Sequence, residues 1–197
     1  THGHLDHIGA IPYIWPKLNC PIYATALAGG LMEHSLEEAG VKNAPITLIN
    51  EGDKLHFGKI SVEMVRLTHS IPDALGLAIR CPAGLFFFAT DWRLEHTPAL
   101  GKPINWARIA QLSAEGITAL FSDSTNVDRP GYTPSESIIG EAFDKVFSEA
   151  KGRVIIAQFA SNVNRVQQVI DSCKKFHRKL ALSGRSMNTY INIAMRL

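Results

Sequence analysis

The strongest constraint in this chain stands at its start. His2-Gly3-His4-Leu5-Asp6-His7 places three imidazoles and a carboxylate within six positions. Imidazole nitrogen and carboxylate oxygen are the donors that zinc and its neighbours favour, and unpaired histidines rarely gather for any other purpose. In an extended segment, side chains two apart point the same way, so His2 and His4 can close on one ion. Asp6 and His7 follow where the chain turns, and adjacent side chains there diverge toward a second ion. A solvated histidine-rich tip would need no fold behind it. Here the motif runs straight into the apolar Ile8-Gly9-Ala10-Ile11-Pro12-Tyr13, so the loop belongs to a folded scaffold.

At 197 residues, 46% hydrophobic and 19% charged, the chain suits one large globular domain or parts of two. A formal net charge of +2 offers no basic field, so any nucleic-acid contact must come from a local site. Cys20, Cys81 and Cys173 are odd in number and form no CxxC pair. That argues against a disulfide framework or a thiolate metal site and suits a reducing cytoplasm. No apolar run reaches membrane-spanning length, so no membrane partner is expected. A metal-binding loop needs a strand to hold it, and none precedes Thr1, while residues 190–197 read as a helix without a cap. Both features lead to the expectation of a fragment of a longer protein.

Two rhythms follow one another along the chain. Residues 20–24 predict a short strand, and residues 26–39 a helix ended by Gly40. Strands are predicted over residues 46–49, 60–67, 75–80 and 85–89, with Pro82-Ala83-Gly84 as a hairpin turn between the last two. The alternation in Ile60-Ser61-Val62-Glu63-Met64-Val65 predicts one buried face and a largely antiparallel sheet. Strand and helix then alternate. Residues 119–121 predict a strand ending at Asp123, and Thr133-Pro134-Ser135-Glu136 reads as a capping box opening a helix with Ile139, Phe143, Val146 and Ala150 inward. Residues 154–157 and 180–182 predict buried strands, with a helix over 163–175 between them, which implies a parallel, Rossmann-like sheet. Phe159, at the end of the first of these strands, is expected in the core. The breakers Arg129-Pro130-Gly131 mark the boundary between the halves.

HxHxDH resembles the metal-binding signature of the metallo-β-lactamase superfamily. Thr68-His69-Ser70-Ile71-Pro72-Asp73, Ala89-Thr90-Asp91-Trp92, Ser122-Asp123-Ser124-Thr125-Asn126, Phe159-Ala160-Ser161-Asn162 and Gly184-Arg185-Ser186-Met187 follow in that order. The series resembles the ribonuclease J family of the β-CASP branch, over essentially the whole chain. The resemblance implies an α/β fold: a partial αββα metallo-β-lactamase sandwich over residues 1–130, lacking its opening strands, then a truncated Rossmann-like β-CASP domain over 131–197. It implies that His2, His4 and His69 hold one ion, that Asp6 and His7 hold another, and that Asp91 bridges them. Thr90 stands where the family commonly has glycine, which restricts the approach of the backbone to the metal. A late histidine would complete the second site in the family, and an acidic residue at the place of Asp123 orients a histidine that serves as general acid.

The expected cofactors are two divalent ions, zinc first and manganese second. Two ions roughly 3.5–4 Å apart can bring a shared water near neutrality in pKa and clamp the attacking and leaving oxygens. A phosphodiester repels hydroxide, and cations remove that repulsion; Asp6 is placed to accept the water's proton. Ser161-Asn162 and Gly184-Arg185-Ser186 each follow a predicted strand and open a helix, so their free N–H groups, hydroxyls and the Arg185 guanidinium suit phosphate. The expected activity is metal-dependent hydrolysis of RNA, as a 5′→3′ exonuclease, an endonuclease or both, in RNA processing and decay. By resemblance the substrate is single-stranded RNA with a 5′-monophosphate, and the full-length protein is a candidate homo-oligomer. Chain 1–197 alone is expected to be weakly active or inactive. A hydrolase of a small thioester, lactone or β-lactam explains HxHxDH equally well but not the second half, and a non-catalytic RNA-binding paralogue would not need every donor intact.

Overall fold

The computed structural model describes residues 1–197. The chain opens on two short helices, α1 (Leu5–Ile8) and α2 (Ile11–Leu18), then β1 (Ile22–Ala24), α3 (Ala26–Glu38) and β2 (Ile46–Leu48), with β1 and β2 paired in parallel. A five-stranded sheet follows in sequence order: β3 (Lys54–Phe57), β4 (Ile60–Arg66), β5 (Leu75–Cys81), β6 (Gly84–Thr90) and β7 (Ile117–Ser122). The first four strands are antiparallel; β7 returns parallel to β6 after α4 (Trp106–Glu115). Short connections explain the antiparallel part. The β5–β6 turn closes on Cys81 opposite Gly84, and Gly58, at φ +61°, turns β3 into β4.

Alternation in β4 delivers side chains to both faces of the sheet. Val65 joins Leu67, Ala78, Leu85, Phe87 and Leu112 on the face covered by α4, whereas Met64 packs with Ile49 and Leu75 on the other. Because β4, β6 and β7 run in the same direction, the segments leaving them emerge at one edge. His69, Asp91 and Asp123 lie on those segments.

The second half contributes α5 (Ser137–Glu149), α6 (Val163–Lys175) and α7 (Arg185–Ala194). Its largest buried cluster is shared with the first half: Ile8, Leu27, Leu31 and Ile71 pack with Val163, Val166 and Ile191.

Several sequence expectations are corrected here. Residues 154–157 and 180–182 form no β-ladder, and the only sheets are those above. Val154 and Ile156 pack toward Phe147, Val169 and Cys173, but Ile155 is 87% exposed and Phe159, expected in the core, 82%. A groove of ≈ 560 Å³ lies between the two segments, so neither meets a hydrogen-bonding neighbour. The capping box does not form either: α5 begins at Ser137 without a side-chain cap, and the Glu136 carboxylate turns instead to Arg93 and Arg165. The inward face of α5 uses buried Phe147, while Val146 is exposed. The terminal helix stops at Ala194, capped by Met195, rather than running to the end.

Candidate metal centre

His2 and His4 flank Gly3, which sits so close to α3 that a Cβ there would meet Leu31 Cδ1 at 2.8 Å. The backbone of this loop is pinned from two sides: Leu75 N–H donates to the Thr1 carbonyl (3.0 Å), and the Tyr190 hydroxyl on α7 donates to the Gly3 carbonyl (3.1 Å). His4 then starts α1, its carbonyl accepting from Ile8 N–H at 3.1 Å. That turn brings His7 back beside His2, their ring centroids 4.2 Å apart, and leaves Asp6 on the exposed side. His69 arrives from the segment after β4, its carbonyl accepting from Asn164 Nδ2 of α6 at 3.1 Å. Asp91 follows β6 directly.

These residues form two overlapping groups. The donor atoms of His2, His4, His69 and Asp91 all lie within 4.8 Å of one another, as do those of Asp6, His7 and Asp91. Asp91 is common to both: its Oδ2 lies 3.1 Å from His7 Nε2, 3.8 Å from His2 Nε2 and 3.9 Å from His69 Nε2. His69 Nε2 and His4 Nδ1 are 3.1 Å apart. Two nitrogens on one zinc, each at about 2.0–2.1 Å, are separated by no more than about 4.2 Å, and the separations of 3.1, 3.8 and 3.9 Å within the first group fall inside that reach.

The electrostatics fit a cation as well. His2 is 0% exposed, and its Nε2 has no hydrogen-bond partner, nor has Nδ1 of His69. Burial first, then the surrounding histidines, pushes the His2 pKa down to about 2; burial and His4 take His69 down to about 4. His4 is lowered too, by burial, against the pull of Asp6 and Asp91. The site therefore presents neutral imidazoles with buried lone pairs, a donor set that a divalent cation satisfies and a proton does not.

Asp123 stands next to this group. Its Oδ1 accepts from Thr125 N–H at 2.7 Å, and its own N–H donates to the Thr90 carbonyl at 3.1 Å. Burial raises its carboxyl, but the Thr125 bonds and nearby His69 outweigh that, and the net direction is down. A polar cavity of ≈ 900 Å³ opens beside His69 and Asp123, walled by Trp92, Arg129 and Tyr132 among others. The Trp92 indole is fixed by donation to Ser122 Oγ at 2.8 Å.

A second cavity of ≈ 520 Å³ brings Ser161 and Asn162 to the same space as His4 and Asp6. Asn162 caps α6 through Arg165 N–H (3.0 Å). Arg185 and Ser186 are not brought there. Arg185, exposed, pairs with Glu38 on α3, and Ser186 is exposed and outside both donor groups. Without a parallel sheet to align the two helix starts, α7 begins against α3 rather than beside α6. The cavity instead contains Arg93 and Arg165, both held by the buried Glu136 carboxylate. Burial raises the Glu136 carboxyl, and the two guanidiniums bring it down overall. Sequence reading missed Arg93 and Arg165, although each lies within three residues of a motif it had marked; their convergence on Glu136 is a tertiary event.

Residues 1–124 match the family model described as "Beta-lactamase superfamily domain", and residues 151–197 match "Ribonuclease J, beta-CASP domain". The whole chain aligns with the Ribonuclease J of Thermus thermophilus at 42% identity and with that of Helicobacter pylori at 41%. The chain belongs to the β-lactamase superfamily, and over its whole length it is similar to ribonuclease J proteins. It spans 36% of the length of the first of these ribonuclease J relatives and 29% of the second. A crystal structure of a protein of unknown function from Enterococcus faecalis V583 shares the fold, with a TM-score of 0.60 and 20% identity over 93% of this chain and 51% of that one. The superfamily implies divalent metals, in keeping with the donor groups described above. No helix is long and apolar enough to cross a membrane.

Proposed function

We propose that this chain carries the metal centre and part of the substrate-binding wall of a ribonuclease that hydrolyses RNA phosphodiester bonds in RNA processing and decay. The observation that carries this reading is the pair of donor groups sharing Asp91, beside cavities lined by Ser161, Asn162 and arginines. His2, His4, His69 and Asp91 would hold one ion, and Asp6, His7 and Asp91 a second; zinc suits the imidazole-rich set, with manganese next. Divalent cations bound there supply Lewis acidity and make water a competent nucleophile near neutral pH.

The chain's own residues do the rest. Asp6 is well exposed, with Oδ2 3.6 Å from His7 Nε2, so it can take a proton from the attacking water without losing its place. The positive dipole end of α6, with the Ser161 hydroxyl and the guanidiniums of Arg93 and Arg165 in the same cavity, accepts a phosphate beside His4 and Asp6. Trp92 and Tyr132 offer faces for unpaired bases, and Arg129 a backbone contact, in the larger cavity. Asp123, held ionised, is the acceptor that would orient a proton donor for the leaving group. In this reading residues 1–130 form the metal-bearing domain and 131–197 the start of the β-CASP domain. A 5′-monophosphorylated single strand is the preferred substrate, cut from its 5′ end, internally, or both.

The test is hydrolysis of 5′-monophosphorylated RNA by the protein containing this chain, with and without chelator. Metal-dependent release of products bearing 5′-phosphate is expected. Turnover of a thioester or β-lactam with RNA left intact would move the assignment to a small-molecule hydrolase.

A further inference from the structure

Thr90 ends β6 and immediately precedes Asp91, the donor common to both groups. Its φ is +55°. In that left-handed region a β-branched side chain crowds the backbone, whereas glycine, and next asparagine, adopts it with least strain. The pairing of β6 with β7 shifts register between Phe88 and Thr90. The Thr90 carbonyl accepts from Asp123 N–H at 3.1 Å. The residue is only 8% exposed, and its hydroxyl has no hydrogen-bond partner. Nothing in the side chain therefore favours the conformation; the irregular strand and the Asp123 bond impose it. Were residue 90 to relax to the extended backbone of the strand before it, the next peptide would turn and carry the Asp91 carboxylate away from the point the two groups share.

We infer that Thr90 is a positioning residue whose strained backbone opposes the metal-ready placement of Asp91, so that affinity for divalent cations follows how readily residue 90 takes a left-handed conformation. This rests on the reading of the two donor groups as a metal centre. It adds that their affinity is held down from outside the donor set.

The experiment uses the metal-stripped protein containing this chain and its Thr90→Gly, Thr90→Asn, Thr90→Ala and Thr90→Val variants. Zn2+ affinity is measured by competition with a chelating dye, and the thermal midpoint of each stripped protein is recorded alongside. Thr90→Gly is expected to bind Zn2+ about tenfold more tightly than the parent. Thr90→Asn and Thr90→Ala should fall between them in that order, and Thr90→Val, equally branched, should match the parent. Midpoints that rise along the series while Zn2+ affinity stays flat would show the strain to be structural only and overturn the inference. Weaker binding by Thr90→Gly would overturn it as well. A parent that binds no Zn2+ would instead remove the metal-centre reading, and this inference with it.

Discussion

Residues 60–123 and residues 154–182 both carry apolar runs that end in polar, loop-forming segments, yet only the first set forms a ladder. In the first, β4, β5 and β6 are consecutive neighbours joined by connections without a helix, residues 67–74 and the tight turn after Cys81. In the second, a whole helix separates the two runs, as α4 separates β6 from β7, but here a groove lies where a neighbour would pair. Parallel strands reach their partners only through such long crossovers and need cover on both faces. Residues 154–157 have one face covered by α5 and α6, and the other open. Alternation thus tells which way side chains point, while pairing depends on what stands alongside.

The largest effect is expected at the well-formed edge. Asp91→Ala removes the donor common to both groups, so metal-dependent RNA cleavage should fall on the order of a thousandfold, with bound metal lost in parallel by elemental analysis. Cleavage within tenfold of the parent would deny Asp91 its bridging role.

Next comes the covered face of the second half. Phe147→Ala, at a buried site shared with Val169 and Cys173, should cost about 3–5 kcal/mol in denaturant unfolding. A loss under about 1 kcal/mol would mean that this face is not a core.

Acid should weaken the metal-stripped edge. The folded pKa values of His2 and His69, about 2 and about 4, lie below the ordinary histidine value of 6.5. The unfolded chain therefore binds protons first as pH falls, and stability is unaffected well above 6.5 and lost below it. Between pH 6.5 and 5.5 each histidine should remove about 1 kcal/mol. Stability flat across that interval in the stripped protein would place these imidazoles in solvent. The smallest effect belongs to the open face: Ile155→Ser should change stability by less than about 0.5 kcal/mol, and a larger loss would show that something covers it.

Much of the site could be read from the letters because its parts are local or repeat a simple period. The histidine loop, α3, α6 and the strands β4 to β6 stand close to where periodicity and breakers put them. Other elements hid behind contrary signals. Pro12 and Pro16 disguised α2, yet the first sits in its opening turn and the second is tolerated inside an eight-residue helix. Residues 54–57 alternate too briefly to declare β3 without β4 beside them. Asn105 capping Arg108 N–H at 2.9 Å announces α4, but only once a helix is already suspected. At Glu136 a local rule lost to a distant one: two guanidiniums from other segments outbid its own helix start. Arg185 failed for a related reason, since the expected placement assumed a sheet that does not form.

The hydroxyl of Tyr190 and the amide of Asn164 grip the main chain at Gly3 and His69, and Val163, Val166 and Ile191 fill the space behind Leu27 and Leu31. The seam in the sequence near residue 130 is therefore not a seam in the energetics. Cutting the chain there would leave two carbonyls beside the clustered imidazoles unanswered and a hydrophobic face bare. The placement of the donor groups in the first half is thus tied to the folding of the second.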